Sequence, residues 1–248
     1  MKSESSERAS APGLMGLLRN FTPYTSWSDE SVTEICALGQ QVAYRKGDVI
    51  CGSRGKPALL YFVETGVFQS RVTIASGRDL TTGYLHPGAL LGLAHAFAVL
   101  PLSEVREFVA DTDALVWQVS ADKFKDLMWR HRLIGESVVT ILATRAGNLL
   151  DGYANSVLLS AEARVARCLL QSTKAPNLDA IWINFTLSDH NLSQAQLARI
   201  LGLSRQSVGT ILRAFENGGF IKMGRQRIEI LSHDNLQKIV GGTVSDAG

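Results

Sequence analysis

Apolar positions change their rhythm twice along this chain. Residues 28–40, SDESVTEICALGQ, place Val32, Ile35 and Leu38 on one face, with Ser28 as a cap and Asp29 and Glu30 in the first turn, which predicts a short helix. From residue 41 to residue 92 the rhythm becomes short apolar runs broken by turn signals: RKGD, GSRGKP, ETG, SGRD and HPG. Residues 42–44, 49–50, 59–63, 67–74 and 80–85 read as strands, and a second β stretch follows at 106–120. Turns this frequent predict an antiparallel β-sandwich or barrel.

From Ala121 the period is helical. Ser120 precedes ADKFKDLMWRH, and a proline-free helix then spans about 133–159. On it Val139, Leu142, Ala146, Leu149 and Tyr153 recur at spacings of three and four, a heptad seam that predicts pairing with a second copy of the chain. A seam this short could instead lie against its own domain. Ser160 caps another helix, AEARVARCLLQS; residues 174–179 are a Pro/Asn loop and 181–187 read as a short strand. The expected divisions are a disordered tail at 1–20, a β-barrel sensor domain at 21–130, a dimerisation helix at 131–159 and a DNA-binding domain at 160–240.

The DNA-binding expectation comes from residues 193–220, SQAQLARILGLSRQSVGTILRAFENGGF. A first helix runs from Ser193 to Leu201. Gly202 permits a sharp turn that only glycine makes without strain. Leu203 plugs the corner and Ser204 caps a second helix. Val208, Ile211, Leu212 and Phe215 of that helix point inward. Arg205, Gln206, Ser207, Thr210 and Arg213 are left outside, side chains suited to base edges and phosphates in a major groove. Gly218 and Gly219 end the helix. Phe220 to Ile230, with Lys222, Arg225 and Arg227, predicts a basic β-hairpin wing. A plain helical hairpin would show the same apolar positions and glycine turn, but not that polar face beside a basic wing.

Charge sharpens this picture. The chain carries a net charge of +2. Residues 188–231 hold six basic side chains against three acidic ones, which leaves the remainder slightly negative. Cys36, Cys51 and Cys168 are scattered, without zinc or iron–sulfur spacing, a usage that fits a reducing cytoplasm. Residues 1–12 lack an apolar signal core, and no continuous apolar run reaches ~18 residues, so no membrane segment is expected.

The order β-barrel, long helix, winged helix-turn-helix resembles the CRP/FNR family of transcription regulators, from about residue 21 to residue 231. LGLSRQSVGTIL (201–212) is similar to the family's recognition-helix signature, and YLHPGALLG (84–92) resembles the barrel turn before its phosphate-binding cassette. The resemblance implies a cyclic-nucleotide-binding-like jelly roll, a homodimer on palindromic double-stranded DNA, an effector held between barrel and long helix, and contact with RNA polymerase if the protein activates. Arg205 falls where the family reads guanine. Gln206 replaces a common Glu, and Thr210 stands where cAMP-binding members have a second Arg, so site preference should differ.

The cassette departs from the pattern. Gly92 is followed by Leu93, where cAMP-binding members place a ribose-binding Glu. Glu104 falls near the position of their phosphate-binding Arg, and a carboxylate there repels phosphate. Arg106, two residues on, substitutes only with a register shift. This argues against a cyclic nucleotide. The expected effector pocket comprises Val63, Leu90, Leu91, Gly92, Leu93, Phe97, Glu104, Arg106, Leu142 and Arg145, to hold an apolar small molecule or be filled by its own side chains. His95 is the best axial candidate for haem, but a lone histidine in an apolar segment is more often structural, so no cofactor is expected. DNA-binding residues are expected at Ser193, Ser204, Arg205, Gln206, Ser207, Thr210, Arg213, Lys222 and Arg225. Two other readings stay open: a cupin-like barrel enzyme, for which the β region offers only His86, His95 and an isolated Glu64, and a ligand-independent DNA-binding regulator. No catalytic constellation is found.

Overall fold

The computed structural model describes residues 13–51, 58–73, 79–97, 105–172, 193–224 and 227–242. Glu104, Arg225 and the strand expected at 181–187 lie outside the described residues, as do the side chains of Arg106 and Arg227.

The chain begins with α1 (Leu14–Asn20), whose Leu14, Leu17 and Leu18 are buried at helical spacing. This corrects the expected tail at 1–20 for its last seven residues: three leucines are too many apolar groups to leave in water. A 3-10 turn (Tyr24–Ser26) leads to α2 (Asp29–Leu38), capped by the Ser28 hydroxyl accepting from the Ser31 amide at 3.3 Å. The helix stops two residues before the expected 40, because Gln40 already pairs with Gln118.

Eight strands follow: β1 (Gln40–Tyr44), β2 (Val49–Cys51), β3 (Leu59–Thr65), β4 (Phe68–Thr73), β5 (Asp79–Leu85), β6 (Leu90–Leu91), β7 (Val105–Ala110) and β8 (Ala114–Ser120), with the short α3 (Leu93–Phe97) between β6 and β7. They form two four-stranded antiparallel sheets, ordered β1-β8-β3-β6 and β2-β7-β4-β5. The expected barrel is thus a jelly roll of two facing sheets.

Alternation along β3, β6 and β8 explains how the first sheet serves two cores. Leu60, Phe62, Leu90 and Val119 face α1, α2, α4 (Ala121–Arg130) and the start of α5 (Arg132–Leu158). Val63, Leu91, Ala114 and Val116 face the opposing sheet, where Ile50, Phe68, Leu85 and Ala110 meet them.

The two halves of α5 differ sharply. Ile134, Ser137, Val138 and Ile141 are buried, and Trp27 Nε1 donates to Ser137 Oγ at 2.8 Å. Beyond Ile141 the large apolar side chains are exposed, among them Leu149 (55%), Leu150 (69%), Tyr153 (71%) and Leu158 (72%). The remaining elements are α6 (Ala161–Ser172), α7 (Gln194–Leu201), α8 (Arg205–Asn217), the hairpin β9 (Ile221–Gly224) and β10 (Arg227–Ile230), and α9 (His233–Gly242). They share a core of Val165, Leu169, Leu197, Val208, Leu212, Phe215, Ile221 and Leu236. Tyr84 of β5 also belongs to this core, so the first helix of the helix-turn-helix rests on the jelly roll.

Candidate DNA-binding site and effector pocket

The helix-turn-helix is assembled by local rules. Ser193 and Gln196 form a capping box on α7: the Ser193 hydroxyl accepts from the Gln196 amide at 3.3 Å, and the Gln196 side chain accepts from the Ser193 amide at 3.0 Å. Gly202 sits at φ +62°, in the left-handed conformation that turns the chain. Ser204 caps α8, accepting from the Ser207 amide at 3.0 Å. Gly209 lets the helices cross closely; a Cβ there would lie 3.3 Å from Gln194 Oε1.

Val208, Gly209, Ile211, Leu212 and Phe215 are the buried face of α8. Arg205, Gln206, Ser207, Thr210 and Arg213 are exposed, together on the opposite face. Behind them, Phe220 packs against Phe215 with ring centroids 6.1 Å apart, and the Met223 amide donates to Glu216 Oε1 at 2.7 Å, which fixes the wing to the helix. Lys222 is exposed on that wing. Ser193 differs from the other predicted contacts: it is half-buried and its hydroxyl is engaged in the capping box. The capping role accounts for it without DNA.

The predicted effector pocket is not assembled as one site. Val63 and Leu91 lie between the sheets, whereas Leu90, Leu93 and Phe97 lie on the helical side of the first sheet. Neighbours in a strand point to opposite faces, so a pocket drawn from consecutive apolar residues mixes two cores. Val63, Leu90, Leu91 and Leu93 are all fully buried. Gly92 adopts φ +92°, and a Cβ there would lie 2.4 Å from the Leu59 carbonyl oxygen.

Arg145 reaches back from α5 and donates to the Leu90 carbonyl at 2.7 Å. Tyr24 donates to the Gly88 carbonyl at 2.9 Å, so the turn between β5 and β6 is held on two sides. Burial lowers the Arg145 pKa and raises that of Tyr24, the neighbouring guanidinium opposing the latter in part. Leu142 is exposed on α5, in line with Val139, Ala146, Leu149 and Tyr153.

A second feature was not foreseen. A cavity of about 400 Å3 lies where β5, the second half of α5, α6 and the end of α7 converge. Thr81, Asp151, Arg164 and Arg167 are among its lining residues. They come from three separate segments, so no local motif announced them. By length and composition α5 could cross a membrane. Its first half, however, is packed into the jelly-roll core, and its large apolar side chains beyond Ile141 are exposed.

A jelly roll joined through a long helix to a winged helix-turn-helix, with a polar recognition face left open, defines a DNA-binding transcription regulator. Comparison with known proteins agrees. A model of the cyclic nucleotide-binding domain matches residues 41–131, and one of the Crp-like helix-turn-helix domain matches residues 163–239. The chain belongs to the CRP/FNR family of transcription regulators. It is 26% identical over 216 residues to the cyclic AMP receptor protein of Thermus thermophilus, covering 86% of this chain and 94% of the relative. It is 25% identical over 168 residues to the cAMP-activated global transcriptional regulator Vfr of Pseudomonas aeruginosa, covering 65% and 75%. A CRP/FNR-family regulator structure from Eubacterium rectale superposes with a TM-score of 0.67 at 20% identity, covering 89% of this chain and 98% of that one.

Proposed function

We propose that the protein is a cytoplasmic homodimeric regulator, without enzymatic activity, that reads a palindromic operator through α8 and responds to something other than cAMP. The observation that carries DNA reading is the division of α8 into a buried apolar face and an exposed Arg205–Gln206–Thr210 face. Arg205 donates two hydrogen bonds to guanine O6 and N7, a pairing worth ~1–3 kcal/mol of discrimination. Gln206 and Thr210 tune the neighbouring bases. Arg213 and the wing residues Lys222 and Arg225 meet phosphate, and Ser204 and Ser207 present the helix start to the backbone.

The dimer rests on Val139, Leu142, Ala146, Leu149 and Tyr153, exposed in one line along a helix whose Ile134, Val138 and Ile141 are already buried against its own jelly roll. Several relatives are named as cAMP-activated. Here Leu93 is sealed in the core where such members place a ribose-binding carboxylate. Contact with RNA polymerase follows if the protein activates.

Binding-site selection with the wild type and with Arg205→Ala tests this reading. The expected result is a palindrome with half-sites ~34–36 Å apart, and loss of preference at one base pair per half-site in the variant. Lys222→Ala should weaken all sequences alike. An unchanged sequence logo with Arg205→Ala would make Arg205 a phosphate contact and displace the recognition helix.

A further inference from the structure

We infer that the cavity between the jelly roll and the DNA-binding domain is a binding site for a small organic monoanion with an apolar body. Its volume of about 400 Å3 is in the range of small-molecule sites, which favour domain boundaries. Three parts of the fold build it: Leu80, Thr81 and Thr82 from β5; one face of the second half of α5, with Asn148, Asp151, Gly152 and Asn155; and Arg164, Arg167, Cys168 and Gln171 from α6 together with the turn at Gly202. The walls are close. A Cβ on Gly202 would lie 3.9 Å from Leu80 Cδ1.

The chemistry of the lining selects the ligand. Arg164 and Arg167 stand one turn apart on α6 and so share a face. Arg164 donates to the Leu201 carbonyl, which leaves its charge uncompensated. Among the described residues neither arginine forms a salt bridge. Asp151 is the one carboxylate in the lining, so the site keeps a single net positive charge. A carboxylate or a phosphodiester supplies the matching single negative charge in charge-assisted hydrogen bonds.

Thr81 provides an independent sign. It is 2% exposed, lines the cavity, and its hydroxyl finds no partner among the protein groups. A buried hydroxyl without a partner is costly, and a ligand acceptor or donor would satisfy it. Leu80, Ile200 and Leu201 supply the surface for an apolar body.

Occupancy would brace α7 against β5 and so bear on how α8 is presented. That consequence rests on the DNA-reading proposal; binding itself does not. The test is calorimetry on the full chain, without DNA, with four probes: benzoate, indole-3-acetate and decanoate as carboxylates, and dibutyl phosphate as a phosphodiester. Benzamide serves as the uncharged control. We expect at least one anion to bind and benzamide not to. Arg167→Gln should weaken that anion about tenfold or more, the loss of a charge-assisted contact. If Arg167→Gln does not fold, Gly152→Phe carries the same test, because a side chain at Gly152 enters open space in the lining. The carboxylate and phosphodiester arms identify which anion is preferred. No anion binding, or anion binding that survives the variant, overturns the proposal. Operator affinity measured on the same variants reports separately on DNA reading.

Discussion

Two glycines with positive φ precede helices in this protein, with opposite outcomes. Gly92, at φ +92°, leads into α3, and Gly202, at φ +62°, leads through Leu203 and Ser204 into α8. The residue that opens α3 is Leu93, fully buried; the one that opens α8 is Arg205, exposed with Gln206 and Ser207 beside it. At Gly92 a Cβ would collide with the Leu59 carbonyl, whereas at Gly202 it would meet only ordinary contact. The first turn seals the helical side of a sheet. The second, fixed by its own caps, leaves a working face in solvent. A turn motif therefore reports backbone geometry, and its surroundings decide whether that geometry binds anything.

If the open end acts as a pair, the largest effect should come from the seam that joins two copies. Leu142→Glu with Leu149→Glu removes four leucines from a two-fold interface, each worth ~1.5–3 kcal/mol if buried there. Light scattering should then report monomers, and operator binding should be lost; a double variant that stays dimeric displaces the seam.

Restoring a carboxylate at the sealed turn tests whether that end can be reopened. Leu93→Glu would place an unpaired charge in a closed core, at a cost on the order of 3–5 kcal/mol. We expect a large drop in Tm and no cAMP binding by calorimetry. Retained stability with cAMP binding would mean that the turn is a competent nucleotide site lacking one side chain.

Alanine at each glycine compares the turns directly. Gly202→Ala should cost about 1–2 kcal/mol, the strain of a left-handed non-glycine residue. Gly92→Ala should cost roughly 1–3 kcal/mol more, because the methyl group must also displace the sheet backbone. Urea titrations of the two variants should separate by that margin; equal losses would mean that the roof of the jelly roll yields easily.

The smallest effect concerns the helical support of the sealed end. His131 and Arg130 hold the Glu34 carboxylate at 2.9 and 2.6 Å and lower its pKa, the His131 hydrogen bond contributing most. A lowered carboxylate pKa contributes stability above its ordinary value and loses it as pH falls through the lowered one. The Tm difference between wild type and Glu34→Gln should therefore be present near pH 6 and shrink below about pH 4.5. A constant gap would assign the effect to packing.

How much could be read in advance differed between the two turns for the same reason. Capping serines, Gly202 and the apolar spacing of α8 are local in sequence, so residues 193–224 could be placed before the tertiary structure was known. Strand alternation was equally visible in β3 and β8. It is not legible at Leu90 and Leu91, because β6 is only two residues long and carries no period of its own. α1 was missed because its three leucines gain helical meaning only against the sheet and α2 that cover them.

By itself the sequence determined the local elements and the polarity of their faces: the two-sided α8, the exposed stripe of α5, and the absence of a ribose-binding carboxylate at residue 93. Those follow from backbone sterics and from the fixed periods of helix and strand. The tertiary structure alone decided which apolar residues share a core, that Tyr84 of β5 joins the core of the DNA-binding domain, and that Thr81, Asp151, Arg164 and Arg167 line one cavity. Such pairings join residues far apart in the chain. They are set by the cooperative burial of whole faces, which no local pattern encodes.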